Sequence, residues 1–156
     1  TRDGRSLIVA SLDHNQMAEL YVVRTELEGL AARLAAQHAS VEEINVLQQM
    51  IDADRERVSD AAALARSNKR FHKQLHLASH NRFLVQQLDL VYRSMALLAT
   101  TSLAVEGRGP VALEEHQAIV LAISNRDGPA AYEAVKRHLS EAFVTRLKHD
   151  AGAQAW

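Results

Sequence analysis

The sequence predicts an all-α fold, organised as an antiparallel bundle of about six helices. Apolar residues recur at spacings of three and four along most of the chain, and the alternation of apolar and polar residues expected of strands is nearly absent. Short connections between the helical segments favour antiparallel neighbours. With 156 residues, of which 47% are hydrophobic, the chain can bury one sizeable core.

The predicted helices are bounded by residues typical of helix ends. Ser40 stands where a capping box would start the second helix, with Glu43 three residues later. The two glycines and Pro110 in "EGRGP" mark a loop before the fifth helix, and Pro129 takes the favoured first position of the sixth. The six segments are about Asn15 to His38, a second one after Ser40, about Ala61 to Ser79, about Phe83 to Thr101, about Val111 to Ser124, and Pro129 to about His149.

Two apolar stripes predict which helix faces are buried. The first helix is expected to turn inward a stripe made of Leu20, Val23, Leu27, Leu30 and Leu34. The fourth helix carries another wide stripe, made of Leu84, Leu88, Val91, Met95 and Leu98. Because one small core cannot take every stripe, we expect a homodimer with apolar helix faces at the contact.

Composition excludes several kinds of protein. The formal net charge of −1 gives no general attraction to nucleic acid, and no apolar run approaches the roughly 20 residues needed to span a bilayer. The absence of cysteine excludes disulfides and thiolate metal sites, and the start of the chain does not resemble a signal peptide. We therefore expect a cytoplasmic protein that does not enter the membrane.

Three histidines on three helices are predicted to face the interior. His72 lies at the edge of the third helix's stripe, one turn after Asn68, so that the two side chains could grip one ion. His116 sits on an apolar face, and small residues surround His138. His76 and His80 fall on the other side of the third helix and are expected to be solvated. Spacing alone leaves two alternatives open, a metal site inside the bundle and hydrogen-bonded core histidines.

Three segments together resemble a known family, the FCD domain, which is the effector-binding C-terminal domain of FadR-type regulators in the GntR family. The resemblance covers about Ala18 to Lys148 and implies an antiparallel helical bundle that binds a small carboxylate, often over a divalent metal. The similar segments are the opening helix "YVVRTELEGLAARLAA", the Phe-His segment "NKRFHKQLHLASHN", and "EEHQAIVLAISNRDGPAAYEAVKRHL".

The resemblance implies a metal role for Asn68, His72, His116 and His138, and zinc is the expected ion, with nickel or manganese as further possibilities. The family commonly has aspartate where this chain has Asn68. Neutral ligands leave the charge of a divalent ion uncompensated, which favours an anionic effector such as a small carboxylate.

Two arginines are candidates for binding the effector. Arg24 borders the buried stripe of the first helix, and Arg93 is embedded in the apolar run "LVYRSMALL". Guanidinium binds carboxylate through two parallel hydrogen bonds, so either arginine could hold the effector.

The resemblance also implies that a winged helix-turn-helix precedes this domain and supplies contact with DNA. The opening segment "TRDGRSLIVASL" is similar to the last strand of such a wing followed by a linker, and its "RSLIVASL" stretch looks like a strand. We therefore divide the chain into a linker or remnant at 1–14 and a helical effector-binding and dimerisation domain at 15–150. The expected function is ligand sensing in a bacterial transcriptional regulator that is not an enzyme and has no catalytic residue.

Two other functions remain open at this point. A metal-dependent hydrolase could use the same histidines, with Glu115 or Glu114 as a base. No acid that could orient the histidines from behind is evident at helical spacing. The second alternative is a purely structural dimerisation bundle with satisfied core histidines.

Overall fold

The computed structural model of the chain describes residues 12–98 and 101–154, which form an all-α helical bundle without strands. The predicted fold class is therefore confirmed. Most of the strand-like opening segment lies outside the described residues. The helices are α1 (His14–His38), α2 (Val41–Arg55), α3 (Ala61–Ala78), α4 (Arg82–Met95), α5 (Arg108–Ser124) and α6 (Gly128–Gln154), with a 3₁₀ turn at Ser102–Ala104.

Side-chain caps fix the start of four helices. Asp13 and Ser40 form complete capping boxes, and the one at Ser40 is the box that the sequence predicts with Glu43. Asp60 and Asn81 cap α3 and α4 by accepting a hydrogen bond from a backbone N–H of the first turn.

Three helix boundaries differ from the prediction, and one of them is the end of α6, which lies at Gln154 rather than near His149. The last helical residue of α4 is Met95, so the helix does not continue to Thr101. In contrast, α5 begins at Arg108, before Pro110, although the sequence places a loop there. Proline is tolerated in the first turn because the backbone N–H groups there have no partner within the helix.

The predicted inward stripe of α1 is wrong. Val23 and Leu30 are 50% and 38% exposed, and the other three residues of the stripe are only partly buried. The buried face carries small and polar residues instead: Met17, Tyr21, Arg24, Glu28, Gly29, Ala31, Ala32, Ala35 and Ala36.

Close helix packing explains why small residues occupy this face. α1 contacts α3, α4, α5 and α6, so its buried side must allow several helices to approach. A Cβ atom added to Gly29 would come within 2.5 Å of the ring of Tyr132 on α6, which leaves room only for glycine. Larger leucines therefore lie at the margins of the contact, on the side of α4.

The stripe on α4 packs inside the bundle rather than against a second copy. Leu84, Leu88 and Val91 are buried, and Leu84 and Leu88 pack with Ala31 of α1. On the outer side of α4, Phe83 and Leu90 are 71% and 51% exposed. The predicted α4 stripe is therefore not the surface that is available for a dimer contact. Within the described residues, no helix is long and apolar enough to cross a membrane.

Candidate metal centre

Three buried histidines from three helices meet in the interior. His72 of α3, His116 of α5 and His138 of α6 each offer a ring nitrogen within 4.8 Å of the other two. All three side chains are buried, as the sequence predicts. The structure therefore brings the predicted histidine ligands together, although the helices that carry them are far apart in the chain.

A buried glutamate on α1 orients the ring of His72. The Nδ1 atom of His72 lies 2.8 Å from Oε1 of Glu28, which is fully buried. An ionised carboxylate only accepts, so Nδ1–H donates and Nε2 keeps its lone pair. That Nε2 atom is buried and has no hydrogen-bond partner. A buried nitrogen lone pair without a donor is what a metal ligand requires, and the glutamate behind it is the usual support for such a ligand.

A second glutamate, on α5, orients the ring of His138 in the same way. The Nδ1 atom of His138 lies 2.7 Å from Oε1 of Glu115, which also accepts two hydrogen bonds from Arg108. The Nε2 atom of His138 therefore also carries a free lone pair, and it points towards Nε2 of His116 at 3.2 Å. Two nitrogen ligands of a tetrahedral zinc ion are about 3.4 Å apart, given Zn–N bonds of about 2.0–2.1 Å. The observed separation fits a shared ion.

His116 is held by stacking rather than by a carboxylate. Its ring lies parallel to that of Phe71, with centroids 4.2 Å apart, and its Nδ1 has no hydrogen-bond partner. Nε2–H of His116 can donate to His138 without a metal, so a neutral histidine pair also satisfies this contact. The contact between His116 and His138 leaves the buried Nε2 lone pair of His72 without a partner. A divalent ion would use the nitrogen lone pairs of all three histidines, so the donor set as a whole still fits a metal.

Burial keeps all three rings neutral. It lowers the pKa of His72 from 6.5 to about 4, against the opposing effect of Glu28. It also lowers the pKa of His116 well below its ordinary range, and the neighbouring histidines add to the effect. The pKa of His138 is lowered by burial as well, although Glu115 opposes this. Neutral imidazole is the form that binds metals, so the cluster is ready to bind near neutral pH.

Glu28 connects the cluster to α4 and to a fourth histidine. Its carboxylate accepts hydrogen bonds from Arg24 at 2.6 Å, from His76 at 2.6 Å and from Tyr92 at 2.8 Å, besides the one from His72. Burial alone would raise the pKa of Glu28, but Arg24 and the two histidines outweigh it and hold that pKa well below its usual range. The carboxylate is therefore ionised and fully satisfied.

The expectation that His76 is solvated is wrong. Its side chain is 2% exposed, because Glu28 on α1 and Tyr92 on α4 cover the side of α3 that the stripe leaves open. Glu28, His72 and His76 form a second group whose ligand atoms lie within 4.8 Å of one another. His80 is exposed, as expected, and its ring contacts Glu43.

A cavity of about 390 Å³ opens beside the cluster. Asn68, His72 and His138 line it, so the predicted amide ligand faces the same space as two of the histidines. Arg24 also lines the cavity, whereas Arg93 is exposed and is not among its lining residues. The structure therefore brings Arg24 to the site and does not bring Arg93, whose role as an effector contact stays a prediction.

Sequence reasoning misses the two glutamates that support the histidines. No such acid is evident at helical spacing, because Glu28 and Glu115 reach His72 and His138 from other helices. Arg24 and Glu28 lie four residues apart on one helix, and this spacing could have predicted an ion pair between them. Nothing in the local sequence shows that this pair is buried against α3.

The comparisons with known proteins agree with this architecture. The family model of the FCD domain matches residues 19–141. YdhC, an HTH-type transcriptional regulator of Bacillus subtilis, is 26% identical over 150 residues, which cover 94% of this chain and 66% of that protein. The HTH-type transcriptional repressor NanR of Escherichia coli is 28% identical over 131 residues, which cover 83% of this chain and 50% of NanR.

A solved structure supports the fold independently. The metal-free FCD domain of TM0439 superposes with a TM-score of 0.72 over 89% of this chain and 96% of that one, at 21% identity. At this identity the likeness shows the fold alone. The chain spans about half to two thirds of the length of the curated relatives it matches.

Protonation of His72 should make the stability of the metal-free protein depend on pH. The unfolded chain binds a proton at His72 near pH 6.5, whereas the folded chain resists it down to about pH 4. The unfolded state therefore binds more protons in this window, so the contribution is complete above pH 6.5 and is lost as pH falls towards 4. For His72 alone this amounts to on the order of 3 kcal/mol.

Urea unfolding of chelator-treated protein at several pH values measures this loss. The exposed His38 provides the control, since His38→Ala should leave the pH profile unchanged. Stability that stays constant from neutral pH down to pH 4 would contradict the buried, neutral state of His72.

Proposed function

The chain belongs to the FCD domain family, and on that premise we propose that it is the ligand-sensing domain of a bacterial transcriptional regulator of the GntR family. It binds a small carboxylate over a divalent metal held by His72, His116 and His138. The observation that carries this proposal is the pair of glutamates that direct the Nε2 lone pairs of His72 and His138 into one buried cluster.

Zinc suits the donor set best. Three imidazole nitrogens with one open position are a common arrangement for zinc in proteins, and nickel and manganese accept similar ligands. Asn68 lies beside the cluster on the cavity wall and is proposed as a weak ligand, directly or through water. Because all four groups are neutral, a bound divalent ion keeps its charge and attracts an anion from the cavity.

The position of Arg24 is the reason to propose a carboxylate as the anion bound in the cavity. Its guanidinium lines the cavity and is fixed by Glu28 through Nε and by Tyr92 through Nη2. The remaining Nη1 contacts only the sulfur of Met95 at 3.8 Å, which is a weak acceptor. A carboxylate in the cavity would be a much stronger acceptor for this N–H.

The link to DNA is proposed from the relatives. YdhC and NanR are named as HTH-type regulators, and this chain covers only part of their length. We propose that DNA contact comes from an N-terminal winged helix-turn-helix, in a protein that works in the cytoplasm as a homodimer. Effector binding would then change the spacing of the two DNA-binding domains.

The two carboxylates considered as bases for a hydrolase are already paired in the structure. The carboxylate of Glu115 already accepts hydrogen bonds from His138 and Arg108. Glu114 is exposed and pairs with Arg55 on α2. We therefore propose no catalytic residue.

Metal content of purified variants tests the proposed site. We expect one zinc per chain in the parent protein after dialysis against dilute zinc, measured by plasma mass spectrometry. His72→Ala, His116→Ala and His138→Ala should each abolish stoichiometric zinc, because three nitrogen ligands are needed to hold the ion.

Two matched histidine variants complete this test. His80→Ala removes an exposed ring and should keep zinc. His76→Ala should also keep it, although stability will fall because Glu28 loses a donor. Zinc lost in His76→Ala but retained in His116→Ala would place the ion at the second group of ligands and contradict the proposed site.

We propose that the homodimer forms through the outer faces of α1 and α4 instead of through the predicted α4 stripe. These outer faces belong to two helices that pack together, and they carry four exposed apolar residues: Val23, Leu30, Phe83 and Leu90.

Phe83→Ser combined with Leu90→Ser should convert the dimer to monomer at micromolar concentration in sedimentation velocity. Leu121→Ser, on the exposed side of α5, is the matched control and should stay dimeric. A parent protein that is monomeric, or equal dissociation of the control, would argue against this contact.

A further inference from the structure

The cavity beside the histidine cluster is lined by basic side chains. Arg24, Lys69, Arg108 and Arg146 line it, and no aspartate or glutamate is found among the described lining residues. Glu28 and Glu115, which balance two of these arginines, do not line the cavity. A ligand in the cavity therefore meets cationic groups from α1, α3, α5 and α6, an environment that favours an anion.

Arg108 lines the cavity and carries a buried donor without a hydrogen-bond partner. A guanidinium has five N–H groups in a fixed plane. Glu115 takes one N–H from Nη1 at 3.1 Å and one from Nη2 at 2.6 Å. The Nε–H is buried and has no acceptor. Because the side chain of Arg108 is only 5% exposed, this donor gains little from solvent and is suited to a ligand acceptor.

The environment of Arg108 is fixed before any ligand binds. Its partner Glu115 is held from the other side by His138 at 2.7 Å, so the arginine cannot swing away without breaking a buried network. Ser102 of the 3₁₀ turn lines the cavity as well and adds a hydroxyl to this wall. A carboxylate bound along the Nε side of Arg108 would leave the bidentate contact with Glu115 intact, because one guanidinium can serve two carboxylates on different edges.

We infer that the cavity takes an anion with at least two carboxylates and that Arg108 holds the carboxylate that does not lie over the histidines. This rests on the proposed function, which places the first carboxylate at the metal beside Arg24. Arg108 then determines specificity, since it separates dicarboxylates from monocarboxylates of the same length. The residue is not needed to hold the metal.

Calorimetric titration of the zinc-loaded chain with matched acids tests this inference. The pairs are succinate and butyrate, glutarate and pentanoate, and adipate and hexanoate, which differ by one carboxylate at constant chain length. At least one dicarboxylate should bind about tenfold or more tightly than its partner, the gain expected for one added arginine–carboxylate contact. Equal affinities in all three pairs would overturn the inference.

Variants assign the gain to Arg108. Arg108→Gln should remove most of the preference by weakening the dicarboxylate more than the monocarboxylate, and zinc should still bind because all three histidines remain. Arg108→Lys keeps the charge beside Glu115, so it provides a folded variant if the glutamine form is unstable, and it should also lose most of the preference. Arg82→Gln, at an exposed arginine that does not line the cavity, is the control and should behave as the parent. Equal weakening of both acids in the Arg108 variants would overturn the assignment.

Chelation separates this inference from the function on which it rests. If every acid loses affinity on chelation but dicarboxylates and monocarboxylates bind equally, the metal contact stands and Arg108 has no role. If dicarboxylates keep their preference and chelation changes nothing, Arg108 stands and the metal contact is wrong.

Discussion

The fully buried carboxylate of Glu28 is the constraint on which the site depends. A charge in this position would be strongly unfavourable alone, but it accepts hydrogen bonds from Arg24 on its own helix, from His72 and His76 on α3, and from Tyr92 on α4. These donors tie three helices to one point. Removing a donor leaves part of a buried charge unsatisfied, so the network favours a single arrangement of the helices around it.

The same constraint sets the chemistry of the cavity. Glu28 fixes the ring of His72 with its Nε2 lone pair free, and it also fixes Arg24 on the cavity wall. In a second network, Glu115 connects Arg108 to His138 as Glu28 connects Arg24 to His72. Each arginine faces the ligand space and each histidine faces the candidate ion, with a glutamate between them. Metal and anion binding would therefore act on one connected set of side chains.

Helical periodicity was sufficient to predict the bundle and the inward histidines, but not the faces that pack. His72, His116 and His138 stand out because each lies on or beside the predicted inward face of its helix, which is a local signal of helical periodicity. The buried face of α1 was not predicted, because helices that cross closely require alanine and glycine at the contact. These small residues contribute little to an apolar stripe. The sequence also did not predict the burial of His76 or the roles of Glu28 and Glu115. Their histidine and glutamate partners lie on other helices, and only the tertiary arrangement brings them together.

The tautomers of the histidines provide the most direct test of this account. A long-range proton–nitrogen NMR spectrum of the metal-free protein, labelled with ¹⁵N at histidine and recorded near neutral pH, distinguishes Nδ1–H from Nε2–H rings. We expect neutral Nδ1–H tautomers for His72 and His138, assigned by loss of each signal in the matching substitution. Nε2–H tautomers or charged rings at these two positions would show that the glutamates do not direct the lone pairs into the cluster, and would contradict the proposed metal site.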